Sequence, residues 1–167
     1  MDIVLVTGGP AEMNSLVRPV AYRAALAFSA ADIWVFSSPG SQALAREVRI
    51  ASTYRGVRRA FGPREAWNTA YVGLRPRGFT VSGRGVVVNL GGDSGFAAAL
   101  ARRLRYPLIH YVSREYPVVP RGSALYLVED ERVQAALIAG GAAPASVRVV
   151  GDLCLDVAAT MERSSGL

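Results

Sequence analysis

The 167-residue sequence contains no lysine, a single cysteine and a single histidine, and no apolar run approaching the ~18 residues of a membrane span. Each scarcity removes a class of function. Because all 19 basic residues are arginine, a phosphate-cradling P-loop, whose motif depends on a lysine, is excluded. Cys154 alone rules out an internal disulfide and a cysteine-rich metal centre; no metal site is expected, and the thiol reads as a small buried group. The opening MDIVLVTGG has neither a basic leader nor a small-residue cleavage site, so a cytoplasmic location is expected, with contact at the inner face of a membrane left open. The formal charge of +6 sits with an arginine-only, alanine-rich composition that matches GC-rich codon usage. That origin weakens the basic charge as a pointer to nucleic acid, and no nucleic-acid partner is expected.

The chain is 51% hydrophobic, enough for one compact domain with a substantial core, and is neither disordered nor fibrous. Within it, GGDSGF (residues 91–96) contains the GDSG that surrounds the nucleophile of trypsin-like proteases. A serine nucleophile needs a base, and His110 lies inside the apolar run PLIHYV, which reads as a buried strand. The nucleophile-elbow pattern GxSxG fails because Phe96 takes the last glycine position. GGDSGF therefore reads as a glycine-rich turn opening a helix.

Apolar runs at DIVLVT (2–7), DIWVFS (32–37), GVVVNL (85–90), PLIHYV (107–112), ALYLVE (124–129) and VRVVG (147–151) predict buried parallel strands, with VRIAS (48–52) a weaker seventh. Helical stripes lie between them: Val17, Val20, Ala21, Ala24 and Phe28; Ala66, Trp67, Ala70, Tyr71 and Leu74; Phe96, Leu100 and Leu104; Val133, Ala136 and Leu137. All are read as core-packed. Pro63 suits the first turn of one helix, Asp130 the N-cap of another and Gly140–Gly141 its end. Short connections between alternating strands and helices predict an α/β fold, a doubly wound parallel sheet of six to seven strands with helices on both faces. Ligands of such folds gather beyond the carboxyl ends of the strands. The loops TGGPAEMN (7–14) and GGDSG are expected at that edge.

The first loop is a poor dinucleotide-binding turn, since the third glycine is missing and the second strand ends in Phe36-Ser37-Ser38 instead of an acid. It reads either as the lining of a cleft or as an ordinary connection.

From Phe96 onward the residues carry a resemblance. Ala101-Arg102-Arg103-Leu104 ends a helix opened by an aspartate-containing turn; Ile109-His110-Tyr111-Val112-Ser113 is close to an (I/V)xYVSP strand, with Arg114 at the proline position; and Val150-Gly151 through Asp156 follow a Val-Gly-x-x-x-x-Asp ending. Across residues 86–157 the chain resembles the N-terminal, Rossmann-like halves of B-type (GT-B) glycosyltransferases, particularly lipid-A-disaccharide synthase. Departures are clear: EYPVVPRG has no tryptophan-containing segment, and Gly8-Gly9-Pro10-Ala11-Glu12-Met13 keeps only part of the family's first-loop signature. The resemblance implies an acceptor-side domain over 1–157, a linker or tail over 158–167, no intrinsic cofactor, and a nucleotide sugar held by a further domain, so that the chain alone would not transfer sugar. With the carboxyl-edge position of the two glycine loops, Gly8, Gly9, Glu12, Gly92, Ser94 and Ser113 are expected along the substrate cleft, and the resemblance offers Asp93 as a catalytic base, against the alternative that Asp93 or Ser94 caps the following helix.

Residues 54–79 hold the strongest charge bias. Arg55, Arg58, Arg59 and Arg64 flank Tyr54, Phe61 and Trp67, a mixture suited to an anionic lipid or a phosphorylated acceptor, with Arg58 and Arg59 as candidate contacts. A solvated basic loop followed by a core-packed helix is the plainer reading. The competing function is a non-catalytic α/β module binding a small anionic ligand or a partner protein.

Overall fold

The computed structural model describes residues 1–40, 45–113, 119–120 and 122–155. The readings on Arg114, on most of EYPVVPRG, on Asp156 and on the 158–167 boundary lie outside these residues.

Seven strands form one all-parallel sheet: β1 (Asp2–Thr7), β2 (Asp32–Ser37), β3 (Val57–Phe61), β4 (Gly85–Leu90), β5 (Leu108–Val112), β6 (Leu125–Val128) and β7 (Val147–Val149). Their order is β3-β2-β1-β4-β5-β6-β7. The chain steps outward from β1 to β3 and then crosses back to β4, so the reversal of direction falls between β1 and β4. Runs of Val, Ile and Leu suit these strands because both faces of the sheet are covered. One face carries Val4, Val6, Trp34, Phe36 and Val87 under α4 (Pro63–Trp67, continuing as a π-helical turn Asn68–Val72) and α5 (Ser94–Leu104). The other carries Ile3, Leu5, Ile33 and Val35 under α1 (Pro10–Glu12), a π-helical turn (Met13–Val17), α2 (Arg18–Ala27) and α3 (Ala45–Ala51). A smaller cluster packs α6 (Glu131–Ala139) on Tyr126 and Val128. The doubly wound parallel sheet expected from the sequence is thus the fold.

The weaker seventh strand is not where VRIAS placed it. Residues 48–51 belong to α3, in which Val48 and Ala51 point inward at helical spacing, and Ser52 Oγ then accepts from the Ala60 N–H at 2.9 Å. The seventh strand is VRRAF, assigned above to a basic loop. Its pairing with β2 shifts register between Ile33 and Trp34, so that Val57 opposes Ile33 while Arg59 opposes Trp34. Arg58 is the extra residue of this bulge, and it breaks the two-residue alternation. Consequently Arg58 and Arg59 are both exposed and Ala60 and Phe61 both buried, a pattern no strand template recognises. Arginines on the outermost strand also deter pairing with another sheet edge.

Further corrections concern burial. Cys154 is exposed, because it lies beyond β7 in a turn where its N–H donates to the Asp152 carboxylate. Trp67 and Tyr71 are exposed because the helix from Pro63 onward packs through its small residues Ala66 and Ala70, and Leu74 and Phe28 are exposed because each lies past the end of its helix; Ala136 is also exposed.

The amino end of the sheet is closed by side chains. Asp2, fully buried, accepts from Ser82 N at 2.7 Å, Ser82 Oγ at 3.0 Å and Trp34 Nε1 at 3.5 Å, and from the Tyr106 hydroxyl. Burial pulls the Asp2 carboxyl upward, but the bonds from Tyr106 and Ser82 outweigh it and leave its pKa below the ordinary value. The Tyr106 hydroxyl is pushed up to about 12 by burial and by its bond to Asp2.

Candidate functional site

At the carboxyl end, the loops after β1 and β4 meet backbone to backbone. Thr7 and Gly91 form an isolated antiparallel bridge, and Ser38 N donates to Thr7 O at 2.8 Å. A Cβ on Gly8 would collide with the Gly91 carbonyl oxygen, and one on Gly92 would sit 2.6 Å from Val6 Cγ1 and 3.2 Å from the Thr7 carbonyl carbon. Gly91 has φ +90°, so glycine is required there by conformation as well as by space. These two glycine pairs allow the loops to close on each other at the crossover between β1 and β4, the position where ligands of open α/β sheets sit.

Two carboxylates border this junction. Glu12 lies over it: its Cγ is 2.8 Å from where a Gly91 Cβ would stand, and its Oε2 is 3.1 Å from the corresponding point on Gly9. Asp93 is the N-cap of α5, with Oδ1 accepting from Phe96 N at 2.6 Å. The capping role offered by the sequence is therefore present. It occupies one carboxylate oxygen and the Phe96 N–H, leaving Asp93, Ser94 and Gly95 exposed at the mouth. Ser94 has no imidazole within its own loop, because His110 is buried in β5 and shares a 2.6 Å hydrogen bond with Ser123. Burial lowers the His110 pKa to about 4, so its ring is neutral at pH 7.

Asn89 is a residue of this site that sequence reasoning missed. From the penultimate position of β4 its Nδ2 donates to Gly92 O at 2.9 Å, fixing the second loop from below. A polar residue in GVVVNL, directly before two glycines, is the signal that could have found it. Asn89 faces His110 across the β4–β5 pairing, and Asn89 Oδ1 and His110 Nε2, like Ser37 Oγ, are buried without a partner among the described residues. Further along the same edge the Tyr111 hydroxyl donates to Glu129 Oε1 and Gly151 O, both at 3.3 Å, and accepts from Leu153 N at 3.1 Å. This tie anchors the segment after β7. Burial raises the Tyr111 hydroxyl well above the ordinary tyrosine value, and the Glu129 and Asp152 carboxylates add to that rise.

The structure thus gathers Gly8, Gly9, Glu12, Gly92, Asp93 and Ser94 at one junction, and places Ser113 at the same edge, just beyond β5. It does not bring Arg58 or Arg59 there. Arg58 stands near the amino end of edge strand β3, where Nη1 forms a 2.5 Å ion pair with Asp32 Oδ1 and the guanidinium lies over Trp34. Arg59 lies over Phe61 and beside Gly78. Among the described residues no group of His, Cys, Asp or Glu side chains could hold a metal ion, and no helix is long and apolar enough to cross a membrane. An apolar groove between α2 and Leu153, lined by Val20, Ala24 and Phe28, lies away from the loop junction and lacks its carboxylates.

No protein-family model matches the sequence, and none of the curated proteins matches it. Solved structures do. HepE of Anabaena, crystallised with UDP and glucose and with UDP-glucose, aligns over 91% of this chain and 44% of its own, with a TM-score of 0.54 and sequence identities of 10% and 11%. A protein provisionally assigned as a UDP-N-acetylglucosamine 2-epimerase from Listeria monocytogenes aligns over 99% of this chain and 48% of its own (TM-score 0.57, 13% identity). The lipopolysaccharide outer core galactosyltransferase WaaB, in its apo form, aligns over 90% and 45% (TM-score 0.54, 8% identity). At these identities the likeness is one of fold: a Rossmann-like α/β domain with a parallel sheet. The chain spans less than half the length of each of these proteins.

Proposed function

We propose that the chain is the acceptor-side domain of a two-domain, nucleotide-sugar-dependent glycosyltransferase, akin to lipid-A-disaccharide synthase, whose donor domain lies outside this sequence. The observation that carries the reading is the junction of the two glycine-lined loops at the β1/β4 crossover with Glu12 and Asp93 at its mouth. Support comes from the fold shared with HepE, which binds UDP-glucose, and with a galactosyltransferase. In this reading an acceptor hydroxyl oxygen attacks the anomeric carbon and the bond to the nucleoside diphosphate breaks. The diphosphate leaves with the electron pair, and the hydroxyl proton passes to Asp93 Oδ2. Asp93 Oδ1 meanwhile stays on the Phe96 N–H, which holds the carboxylate in one orientation. Gly8 and Gly92 let the two loops close against each other, Gly9 lies beside the Glu12 carboxylate, and Ser94 and Ser113 supply hydroxyl contacts along the same edge.

The test is Asp93→Asn in the full-length protein, assayed by mass spectrometry for transfer from UDP-glucose. Asparagine caps nearly as well as aspartate, so melting should be unchanged while transfer falls ~100-fold or more. Unchanged transfer would remove Asp93 from the chemistry. A full-length protein that consumes no UDP-sugar would favour the second reading, a non-catalytic module that binds a small anionic ligand at the same junction; the capping bond of Asp93 is the observation on its side.

A further inference from the structure

The helix from Pro63 to Val72 is inverted relative to its neighbour α5. It buries the small residues Ala66, Thr69 and Ala70, and leaves Trp67, Tyr71, Val72 and the following Leu74 at 48%, 46%, 51% and 61% exposure. The Trp67 and Tyr71 rings lie 5.5 Å apart and Tyr71 reaches to 6.4 Å from Phe96, so the exposed rings form one continuous surface beside the first turn of α5. A contiguous exposed apolar patch marks an interaction surface, whereas single exposed apolar residues do not. The segment that carries it is rich in arginine: residues 54–84 hold seven against the single acid Glu65. Arg58 is paired with Asp32 and Arg55 lies over Tyr22, so the guanidiniums of the patch itself are Arg64, Arg75, Arg77 and Arg103, with Asp93 at its α5 border. Glu65 is engaged, accepting from Gly62 N at 3.1 Å. Arg64 precedes Trp67 by one helical turn, Arg75 and Arg77 follow Leu74 as exposed side chains, and Arg103 borders the patch by donating to the Ala70 and Tyr71 carbonyls at 3.4 and 3.3 Å.

We propose that this face docks the protein onto an anionic lipid bilayer. Trp67, Tyr71 and Leu74 enter the boundary between headgroups and acyl chains, and Arg64, Arg75 and Arg77 meet the lipid phosphates. Amphipathic rings at the centre and guanidiniums around them match a surface whose negative charge is continuous; a protein partner would need its own ring of acids. The experiment uses vesicles of phosphatidylcholine alone and of phosphatidylcholine with an equal part of phosphatidylglycerol. Because Trp34 is fully buried, a blue shift of tryptophan emission reports on Trp67. The expected result is co-sedimentation and a blue shift with the anionic vesicles only, weakened by salt. Trp67→Ser with Leu74→Ser should lower the partition coefficient by about tenfold or more, and Arg75→Glu with Arg77→Glu by about tenfold, with melting unchanged in both. Equal binding to both vesicle types, or binding that ignores these substitutions, would overturn the proposal. So would a dimer that dissociates in the Trp67 variant without any vesicle binding, which would give the face to a second copy. The result is independent of sugar transfer, so this proposal and the transferase reading can fail separately.

Discussion

The two ends of the sheet are built on opposite principles. At the amino end, side chains lock the structure: Asp2 gathers Tyr106, Ser82 and Trp34, and Asp32 pairs with Arg58. At the carboxyl end, backbone meets backbone across Gly8, Gly91 and Gly92, and the carboxylates of Glu12 and Asp93 face the mouth. The buried polar atoms left without a partner among the described residues, on Ser37, Asn89 and His110, sit in the carboxyl-side half of their strands or at mid-strand, and none belongs to the amino-end network. One end spends its polar groups on stability. The other closes through backbone and leaves the Asp93 carboxylate exposed at its mouth.

Removing one acid at each end should separate these roles most sharply. Asp2→Ala leaves the Tyr106 hydroxyl and Trp34 N–H without their buried acceptor and should cost about 4 kcal/mol in urea denaturation, whereas Asp93→Ala forfeits only a helix cap, about 1 kcal/mol. Equal losses would erase the distinction. The next effect is one of pH. His110 has a native pKa of about 4 against 6.5 for the free side chain, so the unfolded chain binds the extra proton between these values and stability falls as pH drops from 6.5 to 4, by on the order of 3 kcal/mol. A His110→Gln variant should show a flatter slope over that window. Below pH 3.8 protonation of Asp2, whose native pKa is lowered, adds a further loss as pH falls through its native value. Gly92→Val should cost about 2 kcal/mol by driving its side chain against Val6 and Thr7, and should reduce any ligand binding at the junction as well. Smallest is Ser94→Ala, expected to change stability by less than about 0.5 kcal/mol, since Asp93 and not Ser94 provides the cap.

The sequence disclosed the parts of the fold governed by composition and period. Six strands read as unbroken apolar runs, because a parallel sheet covered on both faces needs no alternation, and Asp130 and Pro63 marked the helix starts that the structure shows. The edge strand β3 was illegible. Its bulge at Arg58 breaks the two-residue period and its exposed arginines mimic a loop, while the short apolar run VRIAS mimics a strand although Val48 and Ala51 stand at helical spacing. The stripe of Ala66, Trp67, Ala70, Tyr71 and Leu74 joins two adjacent helix faces and runs past the helix end at Val72, and only the alanine face turns inward. Here the close fit to the sheet is made by alanines. The meeting of the two glycine loops was visible only as two motifs at the ends of two strands. Their contact, and the hold of Asn89 on Gly92, required the β1/β4 adjacency.

In the proposed function, ligands enter at the carboxyl-end junction. Amide chemical-shift mapping of the 167-residue protein, titrated with glucose 1-phosphate as a phosphorylated sugar probe, tests it directly. The predicted result is a saturable shift confined to Gly8, Gly9, Glu12, Gly91, Gly92 and Asp93, with Asp2, Ser82 and Arg58 unmoved. Shifts centred on the amino end or on the groove beside α2, or no saturable shift at the loop amides, would contradict it.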